Sequence, residues 1–177
     1  GWTVGPAILL PLIAVALLYA GGAWRLFRRS SRARGLRLQQ AWLFAAGWAA
    51  LAIALVTPLH AWSEHLFTAH MIEHELMMIV AAPLIVASGP GAAMMWGLPR
   101  SWRRGLGRLF RSGALSGLWR HLTRPAVATV LHGIAIWVWH VPGLFEAALE
   151  RGFLHYAQHA SLFGTALRFW WVMLPRR

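Results

Sequence analysis

Two pairs of histidines stand four residues apart in this chain, His70 with His74 and His155 with His159. Each pair shares one face if its segment is helical. Imidazole suits copper, zinc, iron and nickel, and two such pairs brought together from two helices offer four nitrogens to one ion. Thioethers add a preference for Cu(I). Met77 follows His70 by seven residues and Met78 follows His74 by four, along or beside the same stripe. Glu73, inside the first pair, is a candidate ligand, or the group that holds a ligating ring through its other nitrogen. His140, and His132 eight residues before it, are candidates to complete the site or relay an ion. His60 and His65 are further candidates, although each taken singly reads as a residue at a water boundary.

Other chemistries lack their parts. There is no Cys, which removes disulfides, thiolate metal sites and Cys nucleophiles. There is no Asp, so an Asp-based triad or dyad is impossible. The GPG and GLG runs are expected as turns and not phosphate loops. No hydrolytic or transferase motif is found, and no enzymatic turnover is expected. Glu146 and Glu150 fit a solvated helix face better than a cation entry point. The net charge of +12 comes from 17 Arg set against five Glu. Those arginines lie between long apolar runs and form no basic face, which argues against nucleic-acid binding.

The elements that must carry the histidines are membrane helices. The chain has 177 residues, 58% hydrophobic, with 12 Trp, and a mean hydropathy of +0.52, too apolar for an ordinary soluble domain. Five segments approach the roughly 20 residues that a bilayer crossing needs: 4–24, 41–58, 68–88, 125–141 and 153–174. The expected fold is an all-α polytopic bundle of about five spans, a single transmembrane domain over residues 1–177. The N-terminal apolar run has no basic n-region and reads as a retained span. Pro83 and Pro90 are expected to kink or end the third span, with Gly89, Pro90 and Gly91 as its exit.

Arginine placement orients the bundle. Six Arg fall in residues 25–40, seven in 99–125 and two at the C-terminal end, so 15 of 17 lie on one side. The positive-inside rule makes that side cytoplasmic, with the N-terminus outside and the C-terminus inside. Residues 99–124 are then a cytoplasmic loop, basic and amphipathic, fit to lie on the lipid surface. Arg168, within the last span, is expected to snorkel toward headgroups. Eight of nine His, all but His121, lie toward the outer face. Trp137, Trp139, Trp170 and Trp171 read as an aromatic belt.

Three of these stretches occur in a recognisable order: HMIEHELMMIVAAPLIV, then HGIAIWVWHVPGLFEAAL, then HYAQHASLFGTALRFWW. Together they resemble the CtaG-type cytochrome c oxidase assembly factors, a family of bacterial membrane proteins, over most of the chain from about Pro58 onward. The resemblance implies a role in maturation of haem–copper oxidases, with copper handling, in the bacterial inner membrane. It maps an HMxxH motif to His70 and His74, a WHxP motif to Trp139, His140 and Pro142, and an HxxxH motif to His155 and His159. Glu73 stands where the family often has Gln, and His60 where it often has an acid. The family usually has about seven spans, so two C-terminal spans are expected to be lacking here.

The leading expectation is therefore a copper-binding assembly factor whose partner is cytochrome c oxidase or its subunits. A structural accessory subunit of a larger respiratory complex is one alternative. A b-type carrier with His axial ligands to haem is the other, with haem less favoured than copper.

Overall fold

The computed structural model describes residues 5–29, 34–63 and 65–175. Val4, Arg32, Arg176 and Arg177, which entered the span and charge reading, lie outside them. Among the described residues there are helices and no strands. Two long helices come first, α1 (Pro6–Arg29) and α2 (Arg34–Val56), followed by the single-turn-and-a-half α3 (Pro58–Ser63). The third long helix, Phe67–Ala87, consists of α4 (Phe67–Glu75), a π-helical stretch (Leu76–Ala81) and α5 (Ala82–Ala87). Then come α6 (Gly91–Gly97), α7 (Arg100–Phe110), α8 (Gly113–Leu122), α9 (Pro125–Trp139), α10 (Pro142–Glu150) and α11 (Gly152–Met173).

Among the described residues, three helices are long and apolar enough to cross a membrane: Pro6–Arg28, Arg37–Val56 and Phe67–Ala87. A fourth crossing arises only if Leu115–Leu122 and Pro125–Trp139 act together, and these are bent by 75°. The bend has a local cause: Pro125 disfavours helical backbone at Arg124, which is extended at φ −68°, ψ 134°. Against the expected five spans, three helices, or four with the bent pair, meet this standard among the described residues. Helix α11 has 22 residues, enough length, but His155, Gln158, His159 and Arg168 lower its apolarity. Large apolar side chains point outward from the long helices, among them Leu10, Leu17, Ile53, Ile72 and Ile79. That is the pattern of helices whose surrounding solvent is lipid.

The third long helix is the hub. Its π stretch explains an odd contact. The Ala82 N–H bonds to the Met77 carbonyl, a five-residue step. The next bond of that kind would run from residue 83 to Met78, but Pro83 has no N–H. The freed Met78 carbonyl instead accepts from the Trp170 indole at 2.8 Å. Of the expected kink or end, Pro83 therefore does not bring the end: the helix passes it with a π-helical stretch on its N-terminal side. The end comes after Ala87, where Gly89 takes φ 57°, the left-handed cap that glycine adopts without penalty.

Small residues set the helix approaches. A Cβ on Gly22 would meet the Ala93 carbonyl oxygen at 1.6 Å, and one on Gly97 the Leu18 oxygen at 2.2 Å, so α1 and α6 touch backbone to backbone. Gly47 lets α2 lie against Ala81 and Ile85. One apolar cluster joins Ile8, Leu12, Ala50, Leu51, Ala54, Met77 and Ala81. A second joins Met78 and Ala82 to Leu162 and Ala166 on α11. Trp139 donates from its indole to Ser161 Oγ at 2.6 Å, pinning α9 to α11. Trp139 and Trp170 thus clamp helices together, whereas Trp137 is 79% exposed as a belt residue should be.

The basic stretch is helical but broken. It divides at Arg111 and Ser112 into α7 and α8. No residue of α7 is buried, and Trp102, Leu109 and Phe110 are all more than half exposed. Arg168 is half-buried, and its Nε and one terminal nitrogen are buried with no hydrogen-bond partner among the described residues.

Candidate metal centre

Local sequence places each part of the site. Thr57 starts α3 by accepting the Leu59 N–H on its hydroxyl at 3.3 Å, ahead of Pro58 at the first helical position. Ser63 closes the short helix by donating to the His60 carbonyl at 2.7 Å. The chain then turns back, and α4 begins at Phe67. His60 is thereby folded over Glu73, thirteen residues later. His60 Nδ1 lies 2.6 Å from Glu73 Oε1, a short charge-assisted bond. On the far side, His159 Nε2 lies 3.7 Å from Glu73 Oε2.

One ligand atom from each of His60, Glu73, His155 and His159 falls within 4.8 Å of all the others. Ligands at about 2.0–2.2 Å from one tetrahedral ion are roughly 3.3–3.6 Å apart, so modest ring tilts close the set on an ion. Ring spacings agree. Two imidazoles on one tetrahedral ion place their centroids about 5 Å apart, given nitrogen–metal bonds of about 2.0 Å. His60 is 5.3 Å from His155 and 5.9 Å from His159, and His155 is 4.3 Å from His159. Glu73 has no exposed surface. A carboxylate withdrawn from water needs a compensating cation or proton donor, which a metal ion with imidazoles supplies.

The remaining imidazoles continue from this group. His70 and His74 are fully buried, with rings 4.2 Å apart. His74 lies 5.3 Å from His159 and 5.8 Å from His140. Both ring nitrogens of His74 and Nε2 of His140 are buried without a hydrogen-bond partner among the described residues, while the His70 ring lies beside the Ser63 backbone. Buried polar atoms are normally paired, and an unpaired one costs about 1–3 kcal/mol. The donor set therefore fits a metal: it offers imidazole nitrogens and a carboxylate at close quarters.

Other expectations sort differently. His132 bonds through Nδ1 to Thr165 Oγ1 at 2.9 Å and lies against Phe169, as part of the α9–α11 contact. His65 is exposed, as are His121, Glu75, Glu146 and Glu150. Met77, 1% exposed, packs in the apolar cluster with Ile8, Leu12 and Ala50. Gln158 was not anticipated. It is fully buried, its side-chain amide has no partner among the described residues, and it precedes His159 on α11. Its place inside a His-x-x-Gln-His run was the available signal. His60 had the weakest sequence case of the four group members, since nothing local ties it to Glu73.

No curated protein and no solved structure matches the chain. A family model does, that of the cytochrome c oxidase caa3 assembly factors (CtaG), over residues 17–177. That match takes in every histidine described above, and the chain belongs to this family of oxidase assembly factors.

Proposed function

We propose that the protein binds a copper ion through His60, Glu73, His155 and His159 and holds it as cargo for assembly of a haem–copper cytochrome c oxidase. The observation that carries this reading is the convergence of those four side chains within 4.8 Å. The role is transfer and not turnover. Three imidazoles and a carboxylate hold the ion, and neighbouring imidazoles give it a route onward by ligand exchange. The receiving partner is the oxidase or one of its subunits.

The membrane arrangement supports the reading. The histidine group sits at the Phe67 end of the third long helix, while Arg25 bonds to the Trp96 carbonyl beyond the other end. With the arginine-rich end cytoplasmic, the metal group faces outward from a bacterial inner membrane. On this reading the bent α8–α9 pair and α11 complete five crossings, and α7 lies on anionic lipid with Trp102, Leu109 and Phe110 in the apolar layer. A haem carrier is less favoured, because the rings close on one another at 4.2–6.1 Å and leave no flat slot for a macrocycle.

The test is copper content and Cu(I) affinity of purified protein. Wild type and His132→Ala should retain copper, and His155→Ala/His159→Ala should lose it. Wild-type protein with no more copper than the double variant overturns the reading.

A further inference from the structure

We propose that the chain binds a phosphate group, that of one anionic lipid, in a cavity at the end of the bundle away from the histidines. The site lies between α1, α2 and the turn after α5, and it stands whether or not the chain carries copper.

Three membrane-length stretches reach their boundary together at this end. The first finishes at Arg28, the second begins at Arg37 and the third finishes at Ala87. A cavity of about 140 Å³ lies among them, lined from all three sides by Leu26 and Phe27, by Arg37 and Gln40, and by Ser88 and Gly89. It therefore sits at the depth where a bilayer places its headgroups. The volume limits the occupant. Pockets that enclose a whole drug-sized molecule hold about 300 Å³ or more. A phosphate with its first attached atoms fits the smaller space, and a lipid leaves its acyl chains outside, in the bilayer.

Charge sets the sign of the ligand. Arg37 is half-buried, and its Nη1 donates to the Leu26 carbonyl. That bond uses one of five guanidinium N–H groups and fixes the plane of the fork, which suits a phosphate. The Gln40 amide reaches the same floor: a Cβ on Gly89 would stand 3.6 Å from its Nε2. Gly89, at φ 57°, carries no side chain and leaves that floor clear. The helices α1, α2, α5 and α6 contain no acidic residue, so no carboxylate of theirs pairs with Arg37. Two α1 arginines are engaged elsewhere, Arg25 with the Trp96 carbonyl at 2.7 Å and Arg28 with the Trp24 ring.

The cavity differs in kind from α7. No residue of α7 is buried, so its arginines meet an anionic surface as a whole. The cavity has walls on three helices, and a basic pocket of that kind takes one headgroup.

The probe is phosphatidylglycerol, titrated into the full chain in neutral detergent and counted by native mass spectrometry. One saturable equivalent is expected, held about fivefold more tightly than phosphatidylcholine. Arg37→Gln should weaken it about tenfold. Ala23→Leu, which fills the cavity and keeps the charge, should weaken it too. Arg100→Gln/Arg104→Gln/Arg108→Gln on α7 should leave that equivalent in place. No saturable equivalent in wild type overturns the site, as does one that is lost in the α7 variant and kept in Arg37→Gln. Inorganic phosphate bound as tightly as the lipid rejects a lipid as its source. A less stable Arg37→Gln with unchanged lipid affinity confines Arg37 to tying α2 to α1 and rejects the site. Should Arg37→Gln fail to fold, thermal unfolding of wild type decides. Phosphatidylglycerol should raise the melting temperature to a plateau at one equivalent, and an equal rise with phosphatidylcholine refutes the proposal.

Discussion

Glu73→Gln isolates what charge contributes to the metal group. Gln keeps the shape of the side chain and one acceptor oxygen, so the 2.6 Å contact with His60 retains a partner while the negative charge is lost. The carboxylate is fully buried, so solvent does not screen it as it would a surface group. A monovalent copper ion about 4 Å from a carboxylate gains about 4 kcal/mol at an effective dielectric of about 20. If Glu73 only orients a ligating ring, the loss is nearer 10-fold, about 1.4 kcal/mol. The expected weakening of Cu(I) affinity thus lies between about 10-fold and 1000-fold. Competition against a chelator of known affinity measures it. A second readout separates binding from architecture. Without metal, the variant should unfold within about 1 kcal/mol of wild type, because the cost of burying the carboxylate offsets its pairing with His60. Affinity unchanged within about twofold refutes the reasoning, and equal destabilisation with and without copper assigns Glu73 to structure instead.

Two further outcomes test the frame that carries the site. Trp170→Phe strands the Met78 carbonyl and should cost about 1–3 kcal/mol in an unfolding assay. Added to it, Pro83→Ala should recover part of that loss by supplying the missing N–H, and a strictly additive double-mutant cycle contradicts this account. Gly22→Ala drives a methyl into the Ala93 carbonyl and should destabilise by about 1–3 kcal/mol or more. Gly21→Ala, which meets nothing within 4 Å, should be neutral or gain up to about 1 kcal/mol, and equal effects at the two positions rule out the close α1–α6 approach.

The exposure of Glu146 and Glu150 was readable from their four-residue spacing on one helix face, whereas His60 and His65 read alike in the sequence and only His65 proves exposed. Other features were legible only in part. Met77 sits seven residues after His70, but what a helix face meets depends on which element crosses it at that depth. Near His70 the neighbours are α10 and α11, and near Met77 they are α1 and α2. The tryptophans show the same limit. Trp137 lies outward as a belt residue, whereas Trp139 and Trp170 turn inward to a hydroxyl and a carbonyl. No local pattern announces that a proline five residues on has freed that carbonyl.

Local spacing alone determined that the chain is helical and apolar, that its histidines pair four apart on two helices, and that its charge lies in arginine clusters away from them. These depend on the 3.6-residue period and on composition, and both are properties of a short window. Three-dimensional packing decided the rest: that His60 closes over Glu73, that Gln158 is buried beside His159, and that His74 comes within 5.3 Å of His159 on another helix. Those contacts join residues far apart in the chain. The packing of α3 against α4 and of α11 against the third helix brings them together, and neither is encoded by spacing within a single segment.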